Sequence, residues 1–183
     1  MKTARTTALL LIAILLLAWT LTESGCADKA SSTTASPALS GLESFVGAAK
    51  LTDSTAGTET TAGDVTQVRG VRAAFQVEAS DPRASGTAEV TSNYDERRGA
   101  SAQSWGSSVL TNSKGTWVCD AWTGAGATDS GGKSHSFIFN VAKGTGGYEG
   151  LVMYVQWHFV DAVSVMVPPS QGIAISGWIE KAK

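Results

Sequence analysis

Several segments of this chain alternate apolar residues with other residues at a period of two, and this pattern constrains the fold more than any other feature. The clearest segment is "VRAAFQVEA", in which every second residue is apolar: Val71, Ala73, Phe75, Val77 and Ala79. A period of two places successive side chains on opposite faces of a strand. The segment therefore predicts a β-strand with one buried face.

The same alternation recurs towards the end of the chain. It predicts two more core faces, one in "SFIFNVA" with Phe137, Phe139 and Val141, and one in "LVMYVQWHF" with Leu151, Met153, Val155, Trp157 and Phe159. Turn sequences such as "SDPR" and "TNSKG" separate the apolar runs. We therefore predict eight strands, at residues 44–52, 65–79, 85–94, 102–110, 116–125, 135–143, 151–160 and 173–181.

Helical spacing is not sustained anywhere after the first 26 residues, so neighbouring strands should be antiparallel. We predict an all-β fold, an eight-stranded antiparallel up-and-down β-barrel of calycin-like type, because closure leaves no exposed sheet edge. A two-sheet sandwich is the alternative. A chain of 183 residues, 43% of them hydrophobic and 16% charged, has material for one such domain.

The first 26 residues are typical of a secretion signal. Lys2 and Arg5 precede an uncharged, Leu-rich run at 6–22, which predicts a signal helix. The run is long for a signal and short for a membrane span, so an uncleaved anchor is the alternative. Residues 27–43, rich in Ser, Thr and Ala, are predicted to be a flexible tether, and residues 44–183 the barrel domain.

The sequence "ESGC" resembles the end of a bacterial lipoprotein signal, with Ser24 and Gly25 before the cysteine that receives the lipid. Glu23 stands where such signals normally have leucine. Either Cys26 is lipidated, or ordinary cleavage follows Ala27. Both predict an extracytoplasmic protein, as a membrane-anchored lipoprotein or in secreted form.

The charge balance excludes a nucleic-acid partner. Without the segment before Cys26 the chain keeps 12 basic and 15 acidic residues, which gives no basic surface for phosphates. The two cysteines, Cys26 and Cys119, either form a disulfide or leave Cys119 as an unpaired thiol. Alternation places Cys119 with Trp117 and Ala121, opposite Val118, Asp120 and Trp122, which predicts a buried, unreactive thiol.

The order of several motifs resembles the allene oxide cyclase barrel-like family, a set of mostly uncharacterised bacterial β-barrels. The motifs are "GTETTAGDVTQVRG", "SDPRASGTAEVTSNYD", "WGSSVLTNSKGTWVCDAWTG", "GTGGYEGL" and "SGWIEK", and the likeness covers residues 57–182. The resemblance implies an eight-stranded barrel, a bacterial source and, from the trimeric plant enzyme, a homo-oligomer. It implies no activity, because no catalytic residue of the plant enzyme matches a position here.

Two glycine-rich stretches resemble nucleotide-binding loops only superficially. In "GTGGYEG" the third glycine of a dinucleotide fingerprint is replaced by Glu149, and a strand follows where a helix is needed. In "GATDSGGKS" five residues, not four, separate Gly126 from Gly132, and again a strand follows. We therefore predict turns at both places and no cofactor.

No metal site or catalytic constellation is recognisable in the sequence. His135 and His158 are the only histidines, and neither lies in a ligand motif. The face opposite the core side of "LVMYVQWHFV" is amphipathic, with Val152, Tyr154, Gln156, His158 and Val160. If that face were the inner one, Glu89, Tyr154 and His158 would be the first catalytic candidates.

The bulky residues are expected in the barrel interior, where they form either a packed core or the walls of a ligand pocket. They are Trp105, Trp117, Phe137, Phe139, Met153, Trp157 and Phe159. The leading functional hypothesis is a non-enzymatic, membrane-tethered barrel that binds a small hydrophobic ligand, a partner or a second copy. The alternative is a cyclase or isomerase that encloses a hydrophobic substrate.

Overall fold

The computed structural model describes residues 42–97, 102–131, 133–160 and 173–183. The predicted signal, Cys26 and nearly all of the predicted tether lie outside these residues. The described elements are β1 (Glu43–Thr55), β2 (Thr58–Ala62), β3 (Val65–Ala79), a short 3₁₀ helix (Pro82–Ala84), β4 (Gly86–Arg97), β5 (Ala102–Asn112), β6 (Gly115–Thr128), β7 (Ser134–Gly146), β8 (Leu151–Val160) and β9 (Ile173–Lys181). No helix in these ranges is long and apolar enough to cross a membrane.

The strands form one closed antiparallel ring. From β3 to β9 each strand pairs with the next, and β1 closes the ring by pairing with both β9 and β3. The short strand β2 pairs with β3 beyond the end of β1. It therefore continues the position of β1 in the ring and does not make a ninth barrel strand. The predicted eight-stranded antiparallel up-and-down barrel is confirmed, and the sandwich alternative is excluded.

Side chains from all around the ring fill the lumen. On β8 the predicted core residues Met153, Val155, Trp157 and Phe159 are all buried. They meet the inward face of β3, where the ring of Phe75 packs edge-on against Trp157 with centroids 5.4 Å apart. The period-two faces predicted for β3 and β8 are therefore correct.

The predicted core face of β7 was wrong. Phe137, Phe139 and Val141 lie on the outside of the barrel and are 43–46% exposed. The inward residues of this strand are Ile138, Asn140 and Ala142. The register of the β7–β8 hairpin is the reason, because it pairs Ile138 with Trp157 and so turns the even-numbered residues of β7 inward.

The predicted faces of β6 were correct only in its first half. The pairing with β5 leaves one extra residue of β6 between Cys119 and Trp122, and the pairing with β7 leaves one between Val118 and Thr123. Together they place a β-bulge at Asp120 and Ala121. Beyond the bulge the faces exchange, so Trp122 is buried although Ala121 was expected inside. Cys119 is 1% exposed and unpaired, which confirms its predicted burial.

One end of the barrel is closed by a small polar and aromatic cap. The indole Nε1 of Trp117 donates to the carbonyl of Arg83 in the 3₁₀ helix, over 2.8 Å. Tyr148 stacks on Trp117 with ring centroids 4.9 Å apart, and its hydroxyl donates to Asn112 over 2.8 Å. These contacts cover the lumen between the β3–β4 and β7–β8 connections.

The stretch "GTGGYEG" is the turn that carries Tyr148 into this cap. Gly146 has a φ of +63°, which favours glycine, and a side chain at Gly144 would collide with the carbonyl of Tyr148. The glycines therefore serve a tight strand connection, as predicted.

Candidate functional site

Between the described inner side chains, the lumen shows no space large enough for a small-molecule ligand. Two cavities among these side chains measure about 20 Å³ and about 10 Å³, and Asn140 and Trp157 line both. One water needs about 10–15 Å³ by this measure, whereas pockets for drug-sized ligands measure about 300–1,000 Å³. The arrangement is that of a packed core.

The predicted pocket residues fall into two groups. Trp117, Met153, Trp157 and Phe159 are buried in the interior. The expectation for Trp105, Phe137 and Phe139 was wrong, because all three lie on the outer surface and are 38–46% exposed. Trp105 faces outward because it pairs with Thr123, which lies beyond the bulge in β6. The guanidinium of Arg69 lies 4.7 Å from the centre of its ring.

The three catalytic candidates are not brought together. Glu89 is exposed on β4, whereas Tyr154 and His158 lie half-buried on the outer side of β8. Their candidacy required the even face of β8 to be the inner one, and the structure has the odd face inside. Among the described residues, the buried polar side chains are Ser92 and Asn140. Neither is an acid or a base.

Glu89 lines an open groove of about 340 Å³ outside the barrel, together with Asp53 and Arg72. All three charged side chains are exposed. The groove is therefore solvated, polar surface, unlike the mostly apolar concave sites that hold small ligands.

The most distinctive surface is formed by the outward residues of four adjacent strands, β7, β8, β9 and β1. Their registers align three rows, which together we call the aromatic face: Phe137, His158, Ala174 and Ala48; Phe139, Gln156, Ser176 and Val46; and Val141, Tyr154, Trp178 and Ser44. None of these twelve positions carries Asp, Glu, Lys or Arg. A fully solvated sheet face normally carries charged side chains.

Ring stacking orders the aromatic face. Phe137 stacks on His158 with centroids 4.3 Å apart, and Tyr154 stacks on Trp178 with centroids 4.8 Å apart. Burial, together with the negative charge of Glu180 and a hydrogen bond to it, raises the pKa of Tyr154 above its usual value. The phenol thus stays neutral at physiological pH, and the face carries no charge there from Tyr154.

A chain of three titratable side chains runs from His158, within the aromatic face, to Asp129 beside it. Nδ1 of His135 lies 3.1 Å from Nε2 of His158, and Nε2 of His135 lies 3.1 Å from Oδ2 of Asp129. The backbone N–H groups of Gly131 and Lys133 donate to Oδ1 of Asp129, each over 2.9 Å. The hydrogen bond from Lys133, followed by that from His135, holds the pKa of Asp129 below its usual value.

The two histidines lie in no ligand motif and are 23 residues apart, so the sequence did not indicate that they would meet. The pairing of β7 with β8 brings the two side chains together. His135 pairs with Val160 and His158 with Phe137, so the two rings are diagonal neighbours on the outer side. Asp129 belongs to the "GATDSGGKS" stretch, whose loop holds the carboxylate next to His135.

Comparison with protein-family models, curated proteins and solved structures gave no match for this chain. The resemblance to the allene oxide cyclase barrel-like family therefore stays a prediction. Among the described residues, no group of three or more His, Cys, Asp or Glu side chains is placed to hold a metal ion.

Proposed function

We propose that this protein is an extracytoplasmic barrel, tethered to a membrane through its N-terminus, that associates with a second copy of itself through the aromatic face. The observation that carries the proposal is the exposure of Phe137, Phe139 and Val141, which are 43%, 46% and 45% accessible on consecutive outward positions of one strand. Contiguous exposed apolar residues of this kind mark interaction sites in soluble proteins.

The aromatic face is about half the size of the area that each partner buries in a standard interface. Four strands and three outward rows cover about 19 by 20 Å, or about 400 Å². A standard interface buries about 800 Å² on each partner. The aromatic face therefore supplies the centre of such an interface, and its rim, which includes Val152 and Val160, supplies the remainder.

A second copy is the occupant that the charges favour. The centre of the aromatic face carries no formal charge, so it does not repel its own copy. One row beyond it, Lys143 on β7 and Glu180 on β9 flank Val152 on β8. A two-fold axis along β8 sets Lys143 of each copy opposite Glu180 of the other, so that the patch complements itself.

The packed lumen supports an interaction role over the ligand and enzyme hypotheses. A small hydrophobic ligand or substrate needs a cavity many times larger than the 20 Å³ and 10 Å³ present here. The bulky side chains of Phe137 and Phe139 lie on the outer surface instead, where a second copy can contact them.

The proposal is tested by a charge exchange at the rim. Sedimentation of the purified full-length protein over a concentration series should show a monomer–dimer equilibrium. Lys143→Glu and Glu180→Lys should each weaken dimerisation, because each brings like charges together, and the double variant should restore it. Failure of the double variant to recover dimerisation would exclude the two-fold arrangement.

Matched apolar variants test the centre of the face. Phe139→Ser should reduce dimerisation at least as much as a rim charge does, since central aromatic residues dominate interface energies. Val109→Ser is the control, because Val109 is also exposed, at 37%, but lies on β5, outside the four strands of the face. Equal effects of both substitutions would contradict docking through the aromatic face.

The tether is tested separately. Native mass spectrometry of protein extracted from membranes should reveal lipid on Cys26 and a mass of two copies, without a retained small molecule. A Cys26→Ser variant should lose the lipid mass and still dimerise. A retained hydrophobic molecule would instead favour the ligand hypothesis.

A further inference from the structure

The two histidines of the chain present two nitrogens to one point on the barrel surface. Nδ1 of His135 and Nε2 of His158 are 3.1 Å apart, and both rings are partly exposed, so solvent can reach them. Neither side chain is used inside the barrel. We propose that this pair binds a divalent late transition-metal ion such as Cu²⁺, Ni²⁺ or Zn²⁺ through those two nitrogens.

The separation of the nitrogens suits chelation. Imidazole nitrogens bind such ions at about 2.0–2.1 Å. Two nitrogens 3.1 Å apart at that distance subtend about 95–102° at the ion. This angle lies between the right angle of square-planar and octahedral sites and the tetrahedral angle. The rings need to turn, but the strands do not need to move. Among the three ions, Cu²⁺ should bind most tightly, following the general order of affinities.

Asp129 supplies the supporting interaction that metal-binding histidines usually have. Histidine ligands commonly donate their second ring N–H to a carboxylate, which fixes the tautomer and orients the ring. Here Oδ2 of Asp129 accepts from Nε2 of His135, which leaves Nδ1 free to be a ligand. The carboxylate is itself fixed by the N–H groups of Gly131 and Lys133.

In the metal-free protein the two rings share a hydrogen bond. With Nε2 of His135 donating to Asp129, the neutral pair places its shared proton on Nε2 of His158. Binding moves that proton to Nδ1 of His158 and puts the ion between the rings. Among the described residues no third His, Cys, Asp or Glu side chain completes the site, so water would occupy the other positions. The site thus holds an ion with open coordination positions.

Copper titration of the tag-free, full-length protein tests the proposal, with electron paramagnetic resonance as the readout. The spectrum should show coupling to two imidazole nitrogens, and the chain has only two histidines to supply them. Asp129→Asn keeps both ligands and should weaken binding by about 10–100-fold. His135→Ala and His158→Ala should each weaken it further and leave one imidazole.

Gln103→Ala is the control, because Gln103 is exposed on β5, away from both the histidine pair and the aromatic face. It should leave copper affinity unchanged, and the far-ultraviolet circular dichroism of all variants should match the parent. Wild-type binding without two imidazole nitrogens, or undiminished affinity in the double variant His135→Ala/His158→Ala, would overturn the proposal. Because His158 also lies on the aromatic face, the titration is repeated with Lys143→Glu, so that an effect on copper binding is distinguished from an effect on dimerisation.

Discussion

Asn140 is the residue that fits least well into the lumen. Its side chain is 4% exposed, and Oδ1 has no hydrogen-bond partner among the described residues. The indole N–H groups of Trp122 and Trp157 lack partners in the same sense. An unpaired buried acceptor costs about 1–3 kcal/mol, and Asn140 borders both interior cavities described above.

Replacing Asn140 with an apolar residue of similar size should therefore not destabilise the barrel. We expect Asn140→Leu to raise the free energy of unfolding by about 1 kcal/mol, measured by urea denaturation, because it removes the unpaired acceptor. Ile138→Ala, two positions away on the same inner face, should lower it by about 2–5 kcal/mol through cavity formation. A comparable loss in both variants would show that the amide is well satisfied.

At the level of single strands, the period-two pattern predicted the inner faces of β3 and β8 correctly and the inner face of β7 wrongly. The strands β3 and β8 place clearly larger apolar residues on one side, so their inner faces could be read directly. On β7 both faces contain apolar residues, and Phe137 and Phe139 outweigh Ile138 in size. The inner face there is decided by register with Trp157, a long-range pairing that the pattern within β7 does not contain.

The bulge in β6 and the histidine pair escaped prediction for the same reason. Nothing in "TWVCDAWTG" marks Asp120 and Ala121 as consecutive outward residues, because the bulge is defined by the strands on either side. Likewise, His135 and His158 become neighbours only once the hairpin is in register. Strand number and closure were predictable from local signals, whereas positions that depend on pairing were not.

Because of the bulge, we expect β6 to tolerate the deletion of one residue. Removing Ala121 should restore regular alternation in β6 and keep Cys119 and Trp122 inward, so the variant should fold with a thermal midpoint close to that of the parent. Removing Val118 instead turns Trp117 or the later inward residues outward, at a cost of about 3–5 kcal/mol for a buried tryptophan. Differential scanning calorimetry of the two variants distinguishes them, and equal destabilisation would argue against a bulge at this place.

On the scale of the whole molecule, the barrel has a packed interior, and its aromatic face and histidine pair lie on the outside. Apolar side chains from the eight staves and the cap around Trp117 leave room for little more than single water molecules inside. The aromatic face, on the outer side of β7, β8, β9 and β1, and the histidine pair, on β7 and β8, lie on the same side of the barrel. Interactions of this protein are therefore expected on that side.

Closure of the ring should make Cys119 a reporter of global opening. Its side chain is 1% exposed, so a thiol reagent can reach it only when strands separate. In a Cys26→Ser background, labelling should be slow in buffer and accelerate with urea in parallel with unfolding. Thr123→Cys provides an exposed comparison on the same strand, which should react at once. Rapid labelling of Cys119 in the folded protein would refute its burial.

The pairing of β1 with β9 also sets an order of events during synthesis. Every other closing step joins strands that are near in sequence, whereas Glu43 meets Ile179, almost at the end of the chain. Contacts between such distant residues form late, because the loop that they close is long. Until the ribosome has released the nine residues of β9, the sheet keeps two unpaired edges. A chain that lacks this strand would be a curved sheet with two exposed edges, so residues 173–181 decide whether the strands form a closed barrel.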